Sequence, residues 1–108
     1  MTTAETLKGH LDLLLLATVA AGPAHGYAIA ETLRARSRAA FDLQEGTLYP
    51  ALHRLERAGL LASRWSEERG RRRRVYQITA SGRRALATQH QEWTAFARAM
   101  NAVVGGMR

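Results

Sequence analysis

Cysteine is absent from this chain, which excludes disulfides, thiolate metal ligands and cysteine nucleophiles. The four histidines, at positions 10, 25, 53 and 90, show none of the close pairings typical of metal sites, so we predict no metal and no other cofactor. His53 and Glu56 share a predicted helix, but nothing near them marks a nucleophile or a pocket. We therefore predict that the chain is not an enzyme and has no catalytic residues.

Apolar runs long enough to span a bilayer are also lacking. The strongest candidate, 11–21, is interrupted by Asp12, and Lys8 is the single basic residue before it, so a signal peptide is not expected. We expect a cytoplasmic protein without membrane association, in which this run is a buried helix. Its apolar residues surround the helix, which predicts cover on two sides, by its own domain and by a second subunit.

Acidic residues are in the minority, with nine Asp and Glu against sixteen Lys and Arg, for a net charge of +7. Lysine is nearly absent too, because all the basic residues except Lys8 are arginines. A guanidinium binds phosphate and guanine edges in bidentate fashion, so this composition indicates a polyanionic partner. With 108 residues, the chain is long enough for one domain with a modest core.

Proline is scarce, and one of the two prolines falls in an amphipathic stretch, EGTLYPALHRLERAGL, at 45–60. A proline in a helix interior costs about 3 kcal/mol, whereas the first turn tolerates it. We therefore predict a helix that begins within a few residues before Pro50 and carries it in its first turn. Leu48, Leu52 and Leu55 share one face and are predicted to be core. The predicted DNA-facing residues of this helix are Thr47, Tyr49, Pro50, His53 and Arg54.

An earlier helix is predicted from GPAHGYAIAETLRAR, at 22–36, where His25-Gly26 opens the helix. Its inward positions are predicted to be Ile29 and Leu33, with either Tyr27 or Ala30. A short extended piece at 41–43 is predicted to add a rung to a sheet.

After Gly59 the hydrophobic period changes from helical to alternating, which predicts a β-hairpin whose strands are joined by a charged, glycine-containing tip, Glu67-Glu68-Arg69-Gly70. Trp65 is predicted to be core, with a stacking platform as the alternative. A solvated edge strand needs fewer charges than the unbroken arginine run at the start of the return strand. We predict nucleic-acid contact for all four of its members, Arg71, Arg72, Arg73 and Arg74.

Three short helices followed by a hairpin with a basic tip predict a mainly α fold, the winged helix-turn-helix, over 1–79. Its third helix would enter the major groove, and the hairpin, or wing, would follow the backbone or enter the minor groove. A further helix is predicted to begin after Thr79 as N-cap and to run over 80–104 as a dimerisation helix. Apolar residues recur on it at coiled-coil spacing, interrupted by His90. The predicted dimer interface comprises Leu86, Trp93, Ala97, Met100 and Val104.

Three motifs in this order, LDLLLLATVAAGPAHGYAIAETL, GTLYPALHRLERAGLL and GRRRRVYQITASGRRAL, make the chain resemble the PadR family of bacterial transcriptional regulators. The resemblance runs from about Leu7 to Leu86. It implies a dimeric repressor that binds pseudo-palindromic double-stranded DNA and releases it when a small molecule binds. Many members have a proline among the basic wing residues, whereas this chain has unbroken arginine. The family's DNA-contacting positions correspond here to Tyr27, Thr47, Tyr49, Pro50 and the wing around Arg71 and Arg73.

The resemblance to short-tailed members implies that the last helix packs against the first helix of the other subunit. Trp93 in that seam is predicted to pack at the interface, with a ligand platform as the alternative. An effector would then be a planar apolar molecule held between this helix and the partner's first helix. The predicted pocket is lined by Leu11, Leu14, Leu15, His90, Trp93, Phe96 and Met100.

Two other functions remain as alternatives. A winged-helix module that binds protein would have a neutral third helix and wing, and both are charged here. An RNA-binding module agrees with the charge, but the sequence lacks the aromatic sheet signature of such modules.

Overall fold

The computed structural model describes Leu7 and residues 9–105 of the chain. Over these residues the chain forms four long helices and a three-stranded antiparallel sheet, in the order β1-β3-β2. The predicted class, mainly α with a β-hairpin, is confirmed. The elements are α1 (Leu11–Ala20), β1 (Ala24–His25), α2 (Gly26–Arg36), α3 (Glu45–Arg57), β2 (Leu61–Glu68), β3 (Arg71–Ile78) and α4 (Ala80–Val104).

The core forms where α1 crosses α3 and the base of the sheet. The predicted stripe of α3 is confirmed, because Leu48, Leu52 and Leu55 are all buried. They belong to one cluster with Leu15 and Leu16 of α1. Complete burial of a leucine side chain contributes about 1.5–3 kcal/mol, so this cluster fixes how α3 is presented to solvent. Leu15 belongs to the core of its own domain and is not available to line a pocket with another subunit.

The third strand of the sheet is not the predicted piece at 41–43. It is Ala24–His25, which pairs with β3 through Ala24 opposite Tyr76 and His25 opposite Val75. Residues 41–44 have no regular structure. The chain reverses after α2 through two residues with positive φ at 38 and 39, and the Phe41 N–H then donates to Ser37 Oγ. This local bond replaces the sheet bond that the prediction required.

Pro50 lies in the second turn of α3, not in the first as predicted. The helix does begin a few residues before it, at Glu45, but Gln44 already accepts the first intrahelical bond from Leu48 N at 2.9 Å. Pro50 therefore removes the bond that the Gly46 carbonyl would otherwise receive. Gly46 is exposed, so water can reach this carbonyl.

The hairpin is present, but its turn is shorter than the predicted tip of four residues: Glu67 and Glu68 belong to β2, and Glu68 pairs with Arg71 across a two-residue turn. Arg69 and Gly70 both have positive φ, 52° and 77°, as a type I′ turn requires. This turn continues the twist of the two strands, so the predicted hairpin projects as a regular ribbon beyond the helices.

Helix α4 begins against the turn that joins α3 to β2. Thr79 is the predicted N-cap, and its Oγ1 accepts from Gly82 N at 2.9 Å while donating to the Gly59 carbonyl at 2.6 Å. Thr79 N also donates to the Leu60 carbonyl, and Leu60 N donates to the Leu55 carbonyl. The helix ends at Val104 as predicted, although Gly106 of the expected Gly-Gly stop lies outside the described residues. The end of α3, the base of the hairpin and the start of α4 thus meet through backbone bonds.

Candidate nucleic-acid interface

Helix α3 presents one side to solvent because its other side is held in the core. Pro50, His53 and Arg54 are exposed, and Thr47 and Tyr49 are half-buried at the margin of the core. Helix α3 thus places the five predicted DNA-facing residues on its accessible side or at its edge.

Tyr49 also packs against the start of α2. A Cβ built on Gly26 would come within 2.6 Å of Tyr49 Cε1, so this position must be glycine for the ring to lie where it does. The two motifs HGY and TLYP are therefore in direct contact. Tyr49 has a packing role in addition to any contact with DNA, which sequence spacing alone did not show.

The start of α2 is a second exposed element beside α3. Tyr27 is 66% exposed while Ala30 packs against the core, which resolves the predicted choice between them. His25 caps the helix by accepting from Ala28 N, and its ring stacks against Tyr27 with centroids 6.4 Å apart. Arg73 Nη1 lies 3.0 Å from His25 Nε2. Arg73 of the wing is thereby in contact with the start of α2, where Tyr27 is exposed.

The arginine run divides between the two faces of the hairpin, as alternation in a strand requires. Arg72 and Arg74 lie over the ring of Trp65, with their guanidinium carbons 4.7 and 5.4 Å from its centroid. Trp65 is 55% exposed, so its prediction as a core residue is wrong. Trp65 is on the same face of β2 as the buried Leu61, but it lies nearer the tip of the hairpin, where arginines cover the ring instead of the core.

Arg74 is linked to α3 as well as to Trp65. Its Nε donates to Ser63 Oγ at 2.7 Å, and Ser63 Oγ donates to Glu56 Oε2 at 2.5 Å. Arg74 Nη2 lies 3.5 Å from the same carboxylate oxygen. The Ser63 hydrogen bond and the Arg74 charge lower the pKa of Glu56, against the opposing effect of burial. Glu56 is therefore ionised at neutral pH. Its contact with Ser63 and Arg74 links α3 to the hairpin, which the sequence did not indicate.

Arg54 makes a bidentate ion pair with Asp12 of α1. Its two terminal nitrogens donate to the carboxylate at 2.9 and 2.7 Å, and these bonds raise the pKa of the guanidinium. Arg54 was predicted to face DNA, and it is exposed, but its donor groups join α3 to α1. The signal in the sequence was the single acidic residue in an otherwise apolar helix, Asp12, which the search for DNA contacts did not use.

A groove of about 680 Å³ opens between α1 and α4 beside this ion pair. The Trp93 ring packs edge-on against His10, with centroids 5.3 Å apart, and lies 6.0 Å from Phe96. Leu11, Trp93 and Phe96 of the predicted pocket line the groove, whereas Leu14, His90 and Met100 do not. In the structure this groove is formed by α1 and α4 of the same chain, whereas the prediction placed the partner's first helix against α4.

The second half of α4 carries apolar side chains without cover from the described part of the chain. Met100 is 49% exposed, and Val104 is equally open. Ala97 is half-buried, and Leu86, predicted for the dimer seam, packs partly against the domain core. The uncovered part of the seam therefore begins about two turns after Leu86.

The described residues offer neither a membrane span nor a metal cluster. Within the part of the chain that the structure covers, no helix has the length and apolarity needed to cross a bilayer. Residues 9–105, with Leu7, likewise contain no group of three His, Asp or Glu side chains that could hold a metal ion.

Comparisons with a family model, with known sequences and with solved structures all match transcriptional regulators. Residues 15–88 match the model of the transcriptional regulator PadR-like family. The chain is 40% identical to the transcriptional regulator Rv3488 of Mycobacterium tuberculosis over 94% of its own length and 90% of the relative. A transcriptional regulator from Clostridium thermocellum has a similar structure, with a TM-score of 0.84 and 29% identity over 93% of this chain and 98% of that one. A PadR family regulator from Eggerthella lenta gives 0.82 and 30%, covering 95% and 88%.

Proposed function

Because this chain belongs to the PadR-like family of transcriptional regulators, which are non-enzymatic DNA-binding proteins, we propose that it is a homodimeric repressor. It binds a pseudo-palindromic operator through α3 and the hairpin, and it releases the operator when a planar apolar molecule binds. In this proposal 1–79 form the DNA-binding domain and 80–104 the dimerisation helix.

The observation that carries the proposal is the shape and charge of one surface. Pro50 and His53 are exposed on α3, Tyr27 is exposed at the start of α2, and the arginine hairpin contacts both helices, through Arg73 with His25 and through Arg74 with Glu56. A rigid helix flanked by cations can enter a major groove while the arginines bind the adjacent phosphates. A module that binds an uncharged protein surface has no need of such a hairpin.

The proposal of a homodimer rests on α4. Phe96, Met100, Val103 and Val104 leave a stripe of large apolar side chains exposed on its second half. A stripe of this kind is normally covered in an interface. A two-fold dimer would cover it and would present two copies of α3 to successive major grooves, about one helical turn apart.

Selection of bound sequences from random double-stranded DNA tests this function. We expect enrichment of a pseudo-palindrome. The DNA upstream of the gene that encodes this chain is the first natural sequence to compare with it. Competition with single-stranded RNA of equal length is the control, because charge alone would favour both polymers. Enrichment without two-fold symmetry, or a preference for the RNA, would contradict the proposal.

The effector is predicted to bind beside Trp93, in the groove between α1 and α4. Titration with flat aromatic compounds should change Trp93 fluorescence, measured in Trp65→Phe so that one tryptophan reports. The same compounds should release the operator at the same concentrations. In Trp93→Ala the response should need about tenfold more compound or greater, since the variant loses both the buried apolar area of the ring and about 1 kcal/mol of ring stacking. If Trp93→Ala dimerises and responds unchanged, the effector binds elsewhere.

A further inference from the structure

A chain of polar contacts joins the hairpin to α3, and two of its members, Glu56 and Ser63, are not among the predicted DNA-binding residues. Glu56 accepts from Ser63 Oγ at 2.5 Å, Ser63 Oγ accepts from Arg74 Nε at 2.7 Å, and the Arg74 guanidinium lies over Trp65. Arg72 covers the same ring at 4.7 Å. Glu56 sits in the last part of α3, so the path runs from the helix to the exposed half of the wing.

Two guanidinium groups are thereby held in one row along the hairpin. The Arg72 side chain makes no hydrogen bond within residues 9–105, and Arg74 uses Nε and Nη2 but leaves Nη1 free among those residues. A free arginine side chain loses rotamer freedom when it binds a phosphate, and a side chain already held in place loses less. The stacked pair can therefore bind a nucleic-acid backbone with little further ordering.

We propose that Glu56 is a positioning residue for DNA binding: through Ser63, Arg74 and Trp65 it fixes the wing and its row of arginines relative to α3. This inference rests on the proposed function of the chain as a DNA-binding regulator. Glu56 itself touches no DNA in this proposal.

The sign of one substitution separates positioning from simple charge. Glu56→Gln removes a negative charge close to a polyanion, which by charge alone strengthens binding. The proposal predicts the opposite, a loss of about tenfold in operator affinity, because the glutamine no longer holds Arg74 by charge. Glu68→Gln is the matched control. It removes one negative charge from the hairpin itself and makes no contact with the path from Glu56 to Trp65, so we expect affinity unchanged or up to about twofold higher.

A measurement without DNA tests the path on its own. In a Trp93→Phe background, acrylamide quenching of Trp65 fluorescence should increase in Glu56→Gln, because the Arg74 cover becomes mobile. It should stay unchanged in Glu68→Gln. Ser63→Ala should act in the same direction as Glu56→Gln, and the double variant should be little worse than either single one, as expected for members of one network.

Lower operator affinity together with higher quenching in Glu56→Gln supports the proposal. Affinity that follows Glu68→Gln, or quenching that does not change, overturns it. If the native chain bound no DNA at all, the proposed function would fail, while the quenching experiment would still decide whether Glu56 anchors the wing.

Discussion

Raising the salt concentration from about 50 to 200 mM should weaken operator binding by about a thousandfold or more. Each arginine that neutralises a phosphate releases a condensed counterion, and a dimer presents every wing arginine twice. Six to ten such contacts give a steep linear fall of the logarithm of the binding constant against the logarithm of salt concentration. Fluorescence anisotropy with a labelled operator over a salt series measures the slope directly.

A pair of wing substitutions provides the control for this slope. Arg71→Ala with Arg73→Ala should weaken binding to operator and random DNA alike, and should lower the slope by about one for each phosphate contact removed. His53→Ala, on the exposed side of α3, should instead cost more on the operator than on random DNA. Binding that does not depend on salt would contradict the first prediction. A wing pair that destroys sequence preference and leaves nonspecific affinity intact would show that the roles of the wing and α3 are exchanged.

Gly82→Ala should destabilise the chain by about 3 kcal/mol or more, a large part of the 5–15 kcal/mol typical of a domain. Gly82 is buried where α4 begins, and an added Cβ would overlap the Leu60 carbonyl oxygen and lie 2.7 Å from Ile78 Cγ1. The carbonyl oxygen is held by Thr79 N, so it cannot move without loss of that bond. The higher helix propensity of alanine stabilises the folded chain by about 1 kcal/mol, which is less than the destabilisation expected from the steric overlap.

Urea unfolding at fixed protein concentration measures this effect, with Gly46→Ala as the control. Gly46 is also in the first turn of a helix, but nothing lies within 4 Å of a Cβ placed there. We expect Gly46→Ala to be neutral or to stabilise by up to about 1 kcal/mol. Equal effects of the two substitutions would contradict the prediction, because they would show that the Leu60 carbonyl moves away from the added Cβ at little cost in stability.

The sequence predicted those features that depend on local periodicity. The stripe of Leu48, Leu52 and Leu55, the hairpin and the N-cap at Thr79 are all present. Each follows from neighbours within a few positions along the chain, where side-chain direction is set by helix or strand geometry. These elements were sufficient to predict the fold class.

Features that depend on pairing between distant segments were not predicted. Asp12 and Arg54 are 42 positions apart, and no rule of spacing links them. The apolar character of Trp65 predicted a core position, and the sequence could not show that the core does not extend to this part of the hairpin. The strand at Ala24–His25 is too short to leave a period of its own, and it forms because β3 offers it an edge.

The junction at Gly59-Leu60 makes α4 a lever arm with its fulcrum at the DNA-binding domain. The helix has 25 residues and extends about 37 Å from this point. A rotation of about 10° at the fulcrum therefore displaces its far end by about 6 Å. Backbone hydrogen bonds tie that fulcrum to the last turn of α3 and the base of the wing. In the proposed dimer, the angle between two such arms would therefore set the distance between the two copies of α3. A molecule that alters this angle by a few degrees changes the operator spacing that the dimer can span.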